Sequence, residues 1–193
     1  VKGGESRGLH YGMIKHISFN DNNIVLGKNT ADPARWKRYK GGTAGKLLIN
    51  TTDYNTFKYL FDIKGNISSP MYVGNRIYFI SDHEGIANIY SCLKSGKSIK
   101  KHTHHKNYFA RNATTDNKHI IYQCGGKIFL YNLETELTNK LDIIYQSSKT
   151  QISRKYVSSE KYIEHLTFDN KSSYLNIIAR GKSFTMGNWD GAV

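Results

Sequence analysis

The sequence predicts an all-β chain of four-stranded antiparallel units, about four in number. Three observations carry that prediction. Apolar residues fall in short runs rich in β-branched and aromatic types. Gly, Asn and Asp turn signals separate the runs. The runs recur at intervals of roughly 40–50 residues.

The elements follow in order. A first series pairs a turn with a strand: Asp21-Asn22-Asn23 before Ile24-Val25-Leu26, then Val73-Gly74-Asn75 before Arg76-Ile77-Tyr78. Thr115-Asp116-Asn117 before Lys118-His119-Ile120 and Asp169-Asn170 before Lys171 to Tyr174 continue it. The aligned Asn23, Asn75, Asn117 and Asn170 are spaced 52, 42 and 53 residues apart. A second series follows each turn: Gly45 to Ile49, Ala87 to Tyr90, Gly126 to Leu130 and Gly181 to Thr185. A third, more polar series closes the units at Phe57 to Leu60, Ser98 to His102 and Thr138 to Leu141. Leu133 to Leu137 is the one text that could begin a helix, and it is too short to persist.

Four short strands per repeat is the pattern of β-propeller blades. Inner strands read apolar because both of their faces pack on neighbouring blades. The outermost strand is more polar because it meets solvent. Units are expected to start near residues 14, 68, 109 and 162. The two longer steps imply loop insertions at Thr30 to Gly42 and at Tyr145 to Glu160.

Composition narrows the class. A chain of 193 residues can bury a core. Its 14 Tyr and 8 Phe exclude wholesale disorder, and its 2 Pro exclude a proline-rich linker. No apolar run approaches the roughly 18 residues of a spanning helix, so no membrane partner is expected. The text opens Val1-Lys2-Gly3-Gly4, which is no secretory leader and lacks an initiator Met, so an interior fragment of a longer chain is expected. A net charge of +13 raises nucleic acid or an anionic membrane surface as a partner. The charges are dispersed, though, and the densest groups, Arg35 to Lys40 and Lys97 to Lys106, sit in no reader signature. A solvated basic face is expected instead.

Cys92 and Cys124 form neither a disulfide framework nor a paired zinc motif, and their strand-like surroundings predict buried, reduced, inert thiols. That fits a reducing, cytoplasmic location. The sequons at Asn50, Asn66, Asn112 and Asn170 are expected by chance in a chain so rich in Asn, Ser and Thr.

No motif predicts chemistry. There is no G-x-S-x-G elbow. Gly96-Lys97-Ser98 is a polar hairpin turn and not a phosphate loop, because Ser91 stands where the first glycine belongs. His102, His104 and His105 could offer zinc two ligands on one side of a strand. No carboxylate or thiol flanks them, and Lys97, Lys100, Lys101 and Lys106 oppose a cation, so a solvated loop is expected. Asp82 and Glu84, beside Gly85, are expected as solvated turn residues rather than a paired-acid site. Trp36 and Tyr39 among Arg35, Lys37, Arg38 and Lys40 could stack on bases. Neither catalytic nor metal residues are assigned, and no cofactor is expected.

One long stretch names a family. Gly27-Lys28-Asn29-Thr30, then Arg35-Trp36-Lys37-Arg38-Tyr39-Lys40-Gly41-Gly42-Thr43-Ala44-Gly45-Lys46, resembles the insertion in the N-terminal propeller of the tricorn protease family. The similarity runs on through Ile67-Ser68-Ser69-Pro70, Val73 to Asp82, Glu84-Gly85, Asn88 to Ser91 and Lys100 to Thr103. It fades after Asn132 and returns weakly at Ile178 to Lys182. Family members tend to carry a proline before the residue matching Arg111, where this chain has Tyr108-Phe109-Ala110.

The resemblance implies a large multi-domain serine peptidase that degrades oligopeptides and assembles as a homo-oligomer. In such proteins a six-bladed propeller precedes a seven-bladed one, a PDZ-like domain and the catalytic domains. Residues 1–145 would be later blades of the first propeller, and 146–193 the start of the next. The catalytic Ser and His would lie downstream, so the chain by itself would hold no catalytic residue. Its propeller would form a channel that filters peptides, and the Trp36 text would be a structural insertion. The rival expectations are a WD40-like protein-interaction module and a basic nucleic-acid binder.

Overall fold

The computed structural model describes residues 3–5, 8, 10–50 and 56–188. The Val1-Lys2 opening and residues 189–193 at the end of the expected second domain lie outside them. The chain divides into two compact units, 1–143 and 144–193.

The first unit holds three sheets, each a meander of four antiparallel strands in sequence order. Sheet one is β1 (Ile14–Asn20), β2 (Asn23–Lys28), β3 (Lys46–Asn50) and β4 (Phe57–Tyr59). Sheet two is β5 (Ile67–Val73), β6 (Arg76–Ser81), β7 (Asn88–Leu93) and β8 (Lys100–Lys101). Sheet three is β9 (Arg111–Thr115), β10 (His119–Cys124), β11 (Lys127–Asn132) and β12 (Thr138–Leu141). These are propeller blades, and their first strands start within two residues of the positions that the repeats predict. Leu133 to Leu137 forms the β11–β12 turn rather than a helix.

Period-2 alternation assigns each side chain to an interface. On β6, Ile77 and Phe79 point to blade one, and Tyr78 and Ile80 to blade three. On β7, Tyr90 and Cys92 join the first of these cores and Ile89 the second. Val25, Leu47, Ile49 and Leu60 complete the blade one–blade two core, and Ile120, Tyr122, Cys124 and Tyr131 the blade two–blade three core. Blade two is therefore apolar on both faces, which is why its text reads as near-continuous hydrophobic runs.

The outer faces differ. Leu26, Leu48 and Phe57 lie under Tyr11, Ile14 and Ile24 on the far side of blade one. Ile17, Phe19 and Tyr59 on that blade remain exposed. Glycine permits the tight β10–β11 hairpin, where Gly125 and Gly126 both take positive φ (57° and 72°) between the paired Cys124 and Lys127.

The second unit contains a 3-10 turn (Ser159–Tyr162) and a sheet of β13 (Ile163–Phe168), β14 (Tyr174–Ala179) and β15 (Lys182–Gly187) in that order. Asp169 organises its first hairpin by accepting the backbone N–H of Tyr174 at 2.9 Å. Among the described residues no helix is long and apolar enough to cross a membrane.

Candidate functional site

In a meander the connections alternate ends. The β2–β3, β6–β7 and β10–β11 turns of the first unit therefore share one end with the links between blades. The insertion between β2 and β3, residues 29–45, lies at that end. Three contacts hold it there. The backbone N–H of Arg38 donates to Asp82 Oδ2 at 2.7 Å. Asn66 Nδ2 donates to the Trp36 carbonyl at 2.7 Å and to Asp82 Oδ2 at 2.8 Å. Arg111 Nε donates to Asp32 Oδ2 at 2.7 Å, which ties the insertion to blade three. Lys37 adds a cation–π contact, its Nζ 5.5 Å from the Phe109 ring centre.

The insertion shapes two clefts. One, of about 590 Å³, is walled by Lys37, Tyr108, Phe109, Arg111, Cys124 and Lys127 among others. The other, of about 440 Å³, lies beside Trp36 and Tyr39 and reaches Met13, Lys15, Asp32 and Asn66. The Trp36 and Tyr39 ring centres are 4.2 Å apart.

Asp82 is not the solvated turn residue that its sequence suggests. It is buried, and it also accepts the backbone N–H of Asn66 at 2.7 Å. A carboxylate out of water needs such donors, and here backbone and amide N–H groups supply them. Glu84 does reach solvent. It accepts from Lys101 Nζ at 2.8 Å and from the Tyr90 hydroxyl at 3.0 Å, and the lysine bond holds its carboxyl below the usual range. The two acids thus serve separate contacts and form no acid pair.

His102 also departs from expectation, being buried in the seam between blades two and three. Its Nε2 lies 2.6 Å from Ser91 Oγ and its Nδ1 2.7 Å from the Tyr131 hydroxyl. Arg76 Nε donates to Ser91 Oγ at 2.7 Å, which leaves the hydroxyl one proton and one lone pair toward His102 Nε2. Burial pushes the His102 pKa down to about 4, so the ring is neutral at pH 7, held between Ser91 and Tyr131. A buried Ser–His pair is a feature that reading the sequence missed, because the partners come from β7 and the link beyond β8. It is no nucleophilic site: Ser91 is fully buried, and the group that orients the ring is a phenol instead of a carboxylate.

His104 is exposed, whereas His105 packs on Tyr122 and Phe129 and bonds the Tyr122 hydroxyl at 2.9 Å. The three histidines therefore face different surroundings. Among the described residues no group of three His, Cys, Asp or Glu is placed to hold a metal.

Cys92 and Cys124 are free and buried, as expected. Burial raises the Cys92 thiol to about 12 and also raises Cys124, so neither is a ready nucleophile. Gly96 to Ser98 forms the β7–β8 hairpin, with the Leu93 N–H donating to the Lys97 carbonyl. The amides of Asn50 and Asn66 are buried and in use, which removes both as glycan acceptors. In the basic text from Lys97 to Lys106, Lys100 is paired to Glu136 and Lys101 to Glu84.

Comparison with known proteins gives one family. The model for the tricorn protease N-terminal beta propeller domain matches residues 1–137. A tricorn protease homolog of Saccharolobus solfataricus is 38% identical over 191 residues, covering 99% of this chain and 18% of that protein. The tricorn protease of Thermoplasma acidophilum is 41% identical over 135 residues, covering 70% of this chain and 12% of that one. A crystal structure of the tricorn protease superposes with a TM-score of 0.73 at 35% identity, over 90% of this chain and 17% of the other. The chain thus spans less than a fifth of the length of each of these relatives.

Proposed function

The chain belongs to the tricorn protease N-terminal β-propeller family, and from that membership we propose that it is the non-catalytic propeller segment of a tricorn-like serine peptidase that degrades oligopeptides. The observation that carries the reading is the family match over residues 1–137, on a unit built of three meander blades. The role within the peptidase is a channel that filters peptides by size. The blade geometry supports this. First strands β1, β5 and β9 lie side by side, so a ring that continues them has its axis along them. A bore of that kind admits an extended peptide and rejects a folded domain. The chemistry of cleavage belongs to other parts of the polypeptide, since Ser91, the serine bonded to the buried His102, is sealed between blades.

Peptide hydrolysis tests the reading. The whole polypeptide is expected to cleave short fluorogenic peptides, to leave folded proteins intact and to lose activity to a serine-directed covalent inhibitor. The 193-residue protein alone is expected to cleave nothing. Inhibitor-sensitive hydrolysis by the 193-residue protein, or none by the whole polypeptide, would overturn it.

A further inference from the structure

Trp36 is 66% exposed on a backbone held at two points. Asn66 holds its carbonyl, Asp82 holds the N–H of Arg38, and Arg38 itself sits at a positive φ of 56°. Tyr39 backs the indole at 4.2 Å, and the 440 Å³ cleft opens beside it. Lys15 and Arg35 line this cleft, Arg38 and Lys40 flank Tyr39 in the chain, and none of the four is in an ion pair among the described residues. The carboxylate in the cleft, Asp32, is already held by Arg111. The element is aromatic at its wall, positive at its rim and fixed in advance.

We propose that Trp36, Tyr39 and the adjoining cleft form a subsite for an aromatic or large apolar side chain of a peptide whose neighbouring residues carry carboxylates. The proposal rests on the peptide-handling reading above. The ligand ring stacks on the indole, and its flanking carboxylates meet the cationic rim. A nucleic-acid strand needs cations aligned with successive phosphates. Here Lys15 and Arg35 stand at one cleft that also contains Asp32, which favours a peptide.

Calorimetric titration of the 193-residue protein tests this with the end-blocked peptide Ac-Glu-Glu-Phe-Glu-Glu-NH2, so that no terminal carboxylate takes part. Trp36→Ala is expected to weaken binding about tenfold and Trp36→Phe to restore most of it. Replacing the central Phe by Ala, or the four Glu by Lys, is expected to cost as much. Equal binding by wild type and Trp36→Ala, with unchanged circular dichroism, would overturn the subsite and leave the peptide reading standing. Binding only of peptides with a free C-terminus would do the same. If no peptide binds, the subsite falls, while the peptidase reading stands or falls on the hydrolysis test above. Tighter Trp36-dependent binding of oligo(dT) would replace the peptide with a nucleic acid.

Discussion

The buried Asp82 carboxylate accepts the backbone N–H of Arg38 at 2.7 Å, across 44 residues of sequence. One acid in the β6–β7 turn thereby fixes the tip of an insertion that leaves from blade one. The same carboxylate takes two N–H groups of Asn66. Asp82→Ala strands three donors and is expected to destabilise the first unit by about 3 kcal/mol. Urea unfolding should show the lower midpoint, and limited proteolysis should cut faster within residues 35–42. A variant that unfolds like the wild type would show that water replaces the carboxylate without cost.

Stability should depend on pH through His102. Unfolded, it titrates at its ordinary 6.5; folded, at about 4. Between those values the unfolded chain holds the extra proton, so the stability is complete above about pH 6.5 and declines as the pH falls toward 4. Burial also lowers His16, His83 and His105, which adds slope of the same sign. His102→Phe is expected to flatten part of that slope. It should also lower stability by about 1–3 kcal/mol at pH 8, because Ser91 and Tyr131 lose their partner. Unfolding curves at pH 5 and 8 check both effects, and an unchanged difference between them would remove His102 as a cause.

Two glycines should respond differently to alanine. Gly96 has a φ of 77°, and a Cβ there would sit 1.9 Å from the Leu60 carbonyl oxygen. Gly126 has a φ of 72° with nothing within 4 Å. Gly126→Ala carries only the conformational cost, about 1 kcal/mol. Gly96→Ala must also push the blade one–blade two link aside, and is expected to cost about 3 kcal/mol. Thermal unfolding of the two variants measures the gap.

The open face of blade one predicts association. Ile17, Phe19 and Tyr59 lie exposed on its far side, where a ring would seat another blade. The 193-residue protein is expected to self-associate, and an Ile17→Lys, Phe19→Glu variant to be more monomeric. Multi-angle light scattering that gives the same monomeric mass for both would rule out this face as the cause.

Much of the fold was determined by the sequence alone. Strand text such as Arg76 to Ser81 and turn text such as Gly125-Gly126 state local preferences for φ, ψ and alternation, and those recur blade after blade. They carry the unit boundaries, the hairpins and the buried cysteines without any knowledge of neighbours. The fate of polar residues was decided only in three dimensions. Asp82 beside Gly85, and His102 among lysines, have the local signature of solvated turns. Their burial follows from partners far along the chain: Arg38 from an insertion in blade one, Tyr131 from blade three. A local sequence window records a residue's own polarity, whereas desolvation and hydrogen bonding depend on what the packed blades bring to it.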